Sequence, residues 1–233
     1  VNKQKVTHIE KERLKVLLVS FLIVLFFWAA FEQAGGLLNI YTYEKTKRTV
    51  DLFNNWEIPA SWFQSINPLI IILLGVTVSN YWINRKKLNK QSSSLFKMLV
   101  GLIIMGLGFI FMVFASLEYK DNFENSGNGY SSMYWLVLAY LFITIGELCA
   151  SPVILSFITK LSPERFLSSI MGVYFASVGL GNMLAAKIGQ TSSQYGETQI
   201  FFGISIFCIS FGSILLLYLK SLNNLTHTKD EIS

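Results

Sequence analysis

Two acids set in apolar sequence carry most of the chemistry open to this chain. Glu32 lies in Phe26-Phe27-Trp28-Ala29-Ala30-Phe31-Glu32-Gln33-Ala34-Gly35-Gly36, which closes an apolar run beginning at Val16. Glu147 lies in Gly146-Glu147-Leu148-Cys149-Ala150-Ser151-Pro152-Val153. A charged side chain deep in a spanning helix costs about 2.5–3.5 kcal/mol on insertion scales, so such residues persist where they handle ions, protons or partner charges. At helical spacing Trp28, Ala29, Gly35, Gly36 and Asn39 share the face of Glu32, and Thr144, Ala150 and Ser151 share that of Glu147. Both faces are small and partly polar, suited to protein or water rather than acyl chains. The structural alternative is an acid satisfied by a neighbouring helix.

Removing a carboxyl group from water disfavours its charged form, and a nearby Lys or Arg restores it. A helix rearrangement that exchanges those partners turns a proton gradient into motion, which makes Glu32 and Glu147 candidate proton-coupling residues. No Lys or Arg falls in the middle of the apolar segments, so the counter-cations are expected from further helices or from an amine on a solute. Asn67 and Gln64 form a second polar patch, three residues apart. Their carboxamides can donate to a carboxylate or accept from an ammonium group, or simply bond between helices. Tyr174, Ser177 and Gly181 share a helical face that serves equally as pocket wall or as packing surface.

These residues must be positioned by membrane-spanning helices. Of 233 residues 52% are hydrophobic and 14% charged, and the mean hydropathy is +0.49, whereas a soluble domain carries about 25% charged residues. Six apolar stretches reach the ~20 residues needed to cross hydrocarbon: about Leu14–Ile40, Ser61–Ile83, Leu95–Leu117, Met133–Leu161, Phe166–Ile188 and Gln199–Leu219. The expected class is an all-α membrane protein, with 1–13 a lead-in, 14–220 the six-helix bundle and 221–233 a tail.

The connections suggest orientation. Lys3, Lys5, Lys11, Arg13, Lys15, Arg85, Lys86, Lys87, Lys90, Lys97, Lys160, Arg165, Lys220 and Lys229 fall on one side, 14 of the 19 basic residues. Lys45, Lys47, Arg48, Lys120 and Lys187 fall on the other. Such an excess places both termini in the cytoplasm of a plasma membrane. Tyr41–Ala60 and Glu118–Ser132, with the turn-formers Asn125-Ser126-Gly127-Asn128-Gly129, read as exposed outer connectors. Trp56, Trp62 and Trp82 fall near span ends and fit an interfacial belt.

Several chemistries find no support. His8 and His227 sit near the two ends, away from any haem, metal or proton relay within the membrane. Cys149 and Cys208 fall in apolar segments and read as small buried hydrophobes. There is no nucleophile elbow, phosphate-binding loop or His/Cys ligand cluster, and no interleaving of basic and aromatic residues for nucleic acid. Neither an enzyme nor a cofactor is expected.

Pro68 and Pro152 each remove a donor from a span, and Gly101, Gly106, Gly108, Gly172, Gly179, Gly181 and Gly189 let helices approach closely or bend. Six spans divide as three plus three, with an acid on the first of each triplet, the pattern of inverted repeats in half of a major facilitator fold.

Four blocks in order are also familiar. Phe27-Trp28-Ala29-Ala30-Phe31-Glu32-Gln33, Gln64-Ser65-Ile66-Asn67-Pro68-Leu69, Gly146-Glu147-Leu148-Cys149-Ala150-Ser151-Pro152-Val153 with Thr159-Lys160-Leu161-Ser162-Pro163, and Met171-Gly172-Val173-Tyr174-Phe175 with Gly181-Asn182 resemble helices seven, eight, ten and eleven of the proton-dependent oligopeptide transporter family. The resemblance implies the C-terminal six-helix half of a proton-coupled di- and tripeptide symporter working by alternating access. It implies a proton-coupling role for Glu32. It implies that Glu147 bridges to a lysine of the missing N-terminal half and contacts the peptide's amino terminus, which Asn67 helps to hold. It implies side-chain pockets lined around Tyr174 and Ser177, where Tyr174 stands in place of the family's usual Trp. Partners would be the peptide, the lipid bilayer and that missing half, with protons the coupling ion. A facilitator for another solute, such as nitrate or a drug-like molecule, and a non-transporting membrane sensor or scaffold are the alternatives.

Overall fold

The computed structural model describes residues 7–50, 56–127 and 129–228. Lys3, Lys5, Lys229 and Asn128, which entered the expectations above, lie outside them. Helix α1 (His8–Phe31) begins at a capping box: the Thr7 hydroxyl accepts from the Glu10 amide, and the Glu10 carboxylate accepts from the Thr7 amide. The expected lead-in is therefore helical from His8.

The first span does not run unbroken. After Phe31 the chain makes a single 3-10 turn, Glu32–Ala34, then α2 (Leu37–Lys45) resumes the crossing, so that His8–Lys45 is one 38-residue span in two pieces. The consecutive glycines Gly35 and Gly36, poor helix formers, lie at the break. The single helical face expected to join Glu32 to Gly35, Gly36 and Asn39 is lost there.

Two-residue strands follow: β1 (Thr46–Lys47), β2 (Thr49–Val50) and β3 (Trp56–Glu57). A 3-10 segment, Ala60–Ser65, leads into α3 (Ile66–Lys87). Pro68 thus falls in a first turn, where its missing N–H has no helical partner to lose, rather than at an interior weak point. Helix α4 (Ser94–Ser126) continues through Glu118 to Ser126, well past the expected Leu117, so most of the presumed outer connector is helix. Strand β4 (Ser131–Ser132) pairs in parallel with β1, and β2 pairs antiparallel with β3. Helix α5 (Met133–Leu161) has its expected bounds and continues through Pro152. Helix α6 (Leu167–Tyr195) outruns the expected Ile188, which leaves Lys187 about 12 Å inside its end at 1.5 Å per residue. Helix α7 (Glu197–Leu217) completes six spans, and α8 (Leu219–Thr226) is a short helix that begins two residues before the expected tail and continues into it.

The core forms around α4, which packs along both α5 and α7. Met98, Leu102, Met105, Phe109, Ile143 and Phe201 are fully buried there. Helix α1 lies on α6 and α3 lies on α5, and both α3 and α6 leave most of their surface uncovered. Trp82, expected in the belt, is buried, with the rings of Tyr81 and Phe96 centred 5.2 and 6.0 Å away and the Lys97 ammonium 5.5 Å from its own, because the end of α3 meets side chains from the start of α4. Trp56 and Trp62 are exposed and stack edge to face at 5.5 Å. Both cysteines are free and buried.

The tail is anchored to the first helix. Arg13 Nε donates to the Thr226 carbonyl at 3.0 Å, Asn223 Nδ2 donates to Ser93 Oγ at 3.1 Å, and His227 pairs with Glu12. Leu219, Asn223 and Thr226, spaced at i, i+4 and i+7, form the buried face of α8.

Helices α4 and α5 cross almost backbone to backbone. A Cβ on Gly101 would sit 2.6 Å from the Gly146 carbonyl oxygen and 2.9 Å from Ala150 Cβ. Gly203 on α7 has no such neighbour within 4 Å. We expect Gly101→Leu to destabilise the bundle by about 1–3 kcal/mol or more, as overpacking does, and Gly203→Ala to leave it unchanged or slightly more stable. Thermal unfolding in detergent, followed by circular dichroism, checks both.

Candidate functional site

One polar chain in the bundle starts on α3 and ends at the break in the first span. Asn67 Nδ2 donates to Glu147 Oε2 at 2.8 Å and to Thr144 Oγ1 at 3.1 Å. The Thr144 hydroxyl donates in turn to the Tyr140 carbonyl at 2.7 Å, and the Tyr140 hydroxyl donates to the Ala34 carbonyl at 3.1 Å. Tyr140, Thr144 and Glu147 occupy one stripe of α5 at spacings of four and three. Asn67 reaches them because the lead-in Ala60–Ser65 sets the first turn of α3 against the middle of α5.

The break itself is held from two sides. Tyr140 holds Ala34 from α5, and Gln33 Nε2 donates both to Ala29 O at 3.2 Å and to Ala185 O on α6 at 3.1 Å. Carbonyls freed where a helix stops inside a membrane need such donors, since lipid supplies none. Gln33 is fully buried while Gly35 and Gly36 are exposed, so the break is open on one side.

Glu32 and Glu147 are held differently. Both are half-buried, but Glu147 accepts from Asn67 whereas Glu32 makes no side-chain hydrogen bond or ion pair within the described residues. On either side of the break, Trp28 Nε1 in α1 and Asn39 Oδ1 in α2 are shielded from solvent without a hydrogen-bond partner among those residues. Glu147 lies 14 residues from the start of α5, about 21 Å along it, near mid-helix. Glu32 is tied to the level of Tyr140, two turns away.

The remaining candidates divide. Gln64 is exposed, sits in the 3-10 lead-in and its side chain joins no hydrogen bond among the described residues, so it stands apart from the Asn67 cluster. Ser177 is buried and its hydroxyl donates to the Val173 carbonyl at 2.9 Å. Tyr174 is half-buried with its ring 5.1 Å from Phe175. Their face lies against α1, where a Cβ on Gly181 would come within 2.7 Å of the Leu25 carbonyl oxygen. Tyr140 and Gln33 were not singled out from sequence as members of the site. Tyr140 was within reach, because it continues the Glu147–Thr144 stripe by one more turn.

Lys187 is exposed within α6 and forms no ion pair among the described residues. Within the described residues no group of His, Cys, Asp and Glu is placed to hold a metal.

Six spans, an interrupted first span and acids on two of its helices define a multi-pass helical membrane protein with a polar site between its helices. The family model for PTR2, the POT family, matches residues 1–205, and the chain belongs to that family. It is 38% identical over 185 residues to the peptide transporter YePEPT of Yersinia enterocolitica, which covers 79% of this chain and 35% of that protein. It is 30% identical over 218 residues to a di-/tripeptide transporter of Lactococcus lactis, covering 93% of this chain and 42% of the relative. A crystal structure of a mutant peptide transporter POT in complex with alafosfalin superimposes with a TM-score of 0.84 at 30% identity, over 97% of this chain and 44% of the other. The chain thus spans well under half the length of these proteins, and they are transporters rather than enzymes.

Removing the Tyr140 hydroxyl leaves the Ala34 carbonyl buried without its donor. Tyr140→Phe is expected to lower stability by about 0.5–1.5 kcal/mol, the net worth of one hydrogen bond, and to speed amide exchange at Gly35 and Gly36. Thermal unfolding and hydrogen–deuterium exchange measure the two effects.

Proposed function

We propose that this chain forms the C-terminal six-helix half of a proton-coupled di- and tripeptide symporter of a bacterial plasma membrane, operating by alternating access. The observation that carries it is the arrangement of Glu147. This acid sits half-buried near the middle of a spanning helix, with one hydrogen bond from Asn67 and no ion pair among the described residues. A carboxylate so placed suits an ammonium group, and a peptide's amino terminus is one. Relatives named as peptide and di-/tripeptide transporters support the same substrate class.

Glu32 is the proton-coupling candidate in this reading, with Glu147 coupled to it and to the peptide. Glu32 lies at a helix break whose glycines are exposed. Irregular backbone within a membrane is tolerated where it lines a cavity or meets protein, and broken helices mark binding sites in transporters. The uncovered surfaces of α3 and α6 fit contact with a second six-helix half. An inverted repeat is favoured by the pairing of helices: the first helix of each triplet packs on the second helix of the other, α1 on α6 and α5 on α3. The excess of basic residues near both described ends favours cytoplasmic termini. Tyr174 and Ser177 would act from α6 on peptide side chains, and Gln64 from the mouth of the site.

The test is uptake and counterflow of labelled dialanine in liposomes holding this chain with its partner half. An imposed inward proton gradient should drive accumulation, and uptake indifferent to that gradient would overturn symport. Glu32→Gln is expected to keep peptide exchange while abolishing gradient-driven accumulation. Glu147→Gln should weaken peptide binding itself by about tenfold or more, as loss of one partner of a desolvated charge pair does. Unchanged affinity in that variant, measured by peptide-dependent thermal shift, removes Glu147 from the binding site.

A further inference from the structure

Helix α6 is held against the first span at two levels, one turn apart. At Gly181 the two backbones nearly meet: a Cβ there would lie 2.7 Å from the Leu25 carbonyl oxygen and 3.3 Å from the Ala29 amide nitrogen. Four residues on, about 6 Å along the axis, the Ala185 carbonyl accepts from Gln33 Nε2 at 3.1 Å. The first contact is with α1 itself and the second is with the break.

The two grips on the break differ in kind. Tyr140 donates to a carbonyl of the break, so α5 supplies what the interrupted backbone lacks. Gln33 works in the opposite direction. It donates from the break to Ala185, which lies inside α6 and serves that helix's own ladder as well. A carbonyl oxygen has two lone pairs, and Gln33 takes the second. The α6 backbone is therefore complete without Gln33, yet this fully buried carboxamide reaches it. What the bond secures is the position of α6 relative to the residue next to Gln33, which is Glu32.

The break packs on α1, α2 and α6 and is gripped from α5. Charged residues on these elements are Glu44 and Lys45 of α2, Lys187 of α6, Glu147 and Lys160 of α5, and those of α1 up to Lys15. None pairs with Glu32 among the described residues; Lys45 is engaged by Glu197 at 2.7 Å, and the Tyr140 hydroxyl by Ala34. A change in the charge of Glu32 is thus met by movement of the break, and Gln33 moves with it. Tyr174 and Ser177 share the α6 face of Gly181 and Ala185, but precede the close contact by seven and four residues. Helix α6 is uninterrupted from Leu167 to Tyr195. A stiff helix pinned at Gly181 rocks about that point, so a step at Ala185 carries Tyr174 and Ser177 the other way.

We infer, on the proton-coupling reading of Glu32, that Gln33 is a positioning residue linking Glu32 to α6, which rocks on its Gly181 contact and shifts Tyr174 and Ser177.

Electron–electron distance measurement between spin labels at the exposed Val173 of α6 and Leu217 of α7 tests the link, with the chain in its native assembly in liposomes. Val173 precedes Gly181 by eight residues, about 12 Å, so it moves about twice as far as Ala185. Glu32→Gln, which holds that position neutral, should change the distance by about 1–2 Å, the common size of a helix shift. Added to Gln33→Met, which lacks the donor, the same substitution should change nothing. Gln33→Asn, one methylene shorter, should behave alike and carries the test if Gln33→Met does not fold. Added to Tyr140→Phe, which loses the other grip, Glu32→Gln should still produce the shift. No shift on Glu32→Gln alone, a full shift in the Gln33 variants, or an equal loss in Tyr140→Phe would each overturn the link. Dialanine uptake in the same liposomes separates the two readings. Both Gln33 variants should keep counterflow and lose most gradient-driven accumulation, and full accumulation in them would overturn the link. Absence of any transport by the unsubstituted protein, with the distance shifts as expected, removes peptide symport and leaves the link standing.

Discussion

A helix that stops inside a membrane leaves carbonyls that no lipid can satisfy, and the interrupted first span of this chain is built around that constraint. Tyr140 from α5 donates to Ala34, and Gln33 links the same turn to Ala185 of α6. These bonds do more than satisfy the break. They tie the first span to two other helices at one level and so fix where Glu32 stands. The α5 stripe that supplies Tyr140 also carries Thr144 and Glu147, so the anchoring of the break and the holding of the second acid belong to one hydrogen-bonded chain.

The two acids are not equivalent within that chain. Glu147 is oriented by Asn67, which can donate to its carboxylate but adds no charge. Glu32 stands two residues before Ala34, where the network ends, and its side chain makes no hydrogen bond or ion pair among the described residues. One acid is positioned and the other is left open, a division that fits different roles for the two.

Packing is equally uneven. Helix α4 contacts α5 over glycine and alanine and α7 along its opposite flank, forming the rigid part of the bundle. Helices α3 and α6 ride on the outside of the acid-bearing α5 and α1, with most of their own surface free. Side chains that make few contacts within the bundle are held weakly by it, so α3 and α6 depend on neighbours beyond these helices, whether protein or lipid.

Much of this was legible in residues 1–233 because hydropathy and helical spacing are local. The six spans, the bounds of α5, the burial of Cys149 and Cys208, and the shared face of Thr144 and Glu147 all follow from residues a few positions apart. Family resemblance through four blocks pointed to Asn67, and the structure brings it to Glu147 across 80 positions. What the sequence alone left undecided are features set by contacts distant in the chain. The continuation of α4 and α6 beyond their apolar cores, the burial of Trp82, the docking of α8 on α1 and the separation of Gln64 from Asn67 depend on what lies opposite each segment. The hydrogen bond from Tyr140 to Ala34 joins residues 106 apart. Local periodicity can mark a tyrosine as one member of a stripe, but only the packed helices determine which carbonyl its hydroxyl meets.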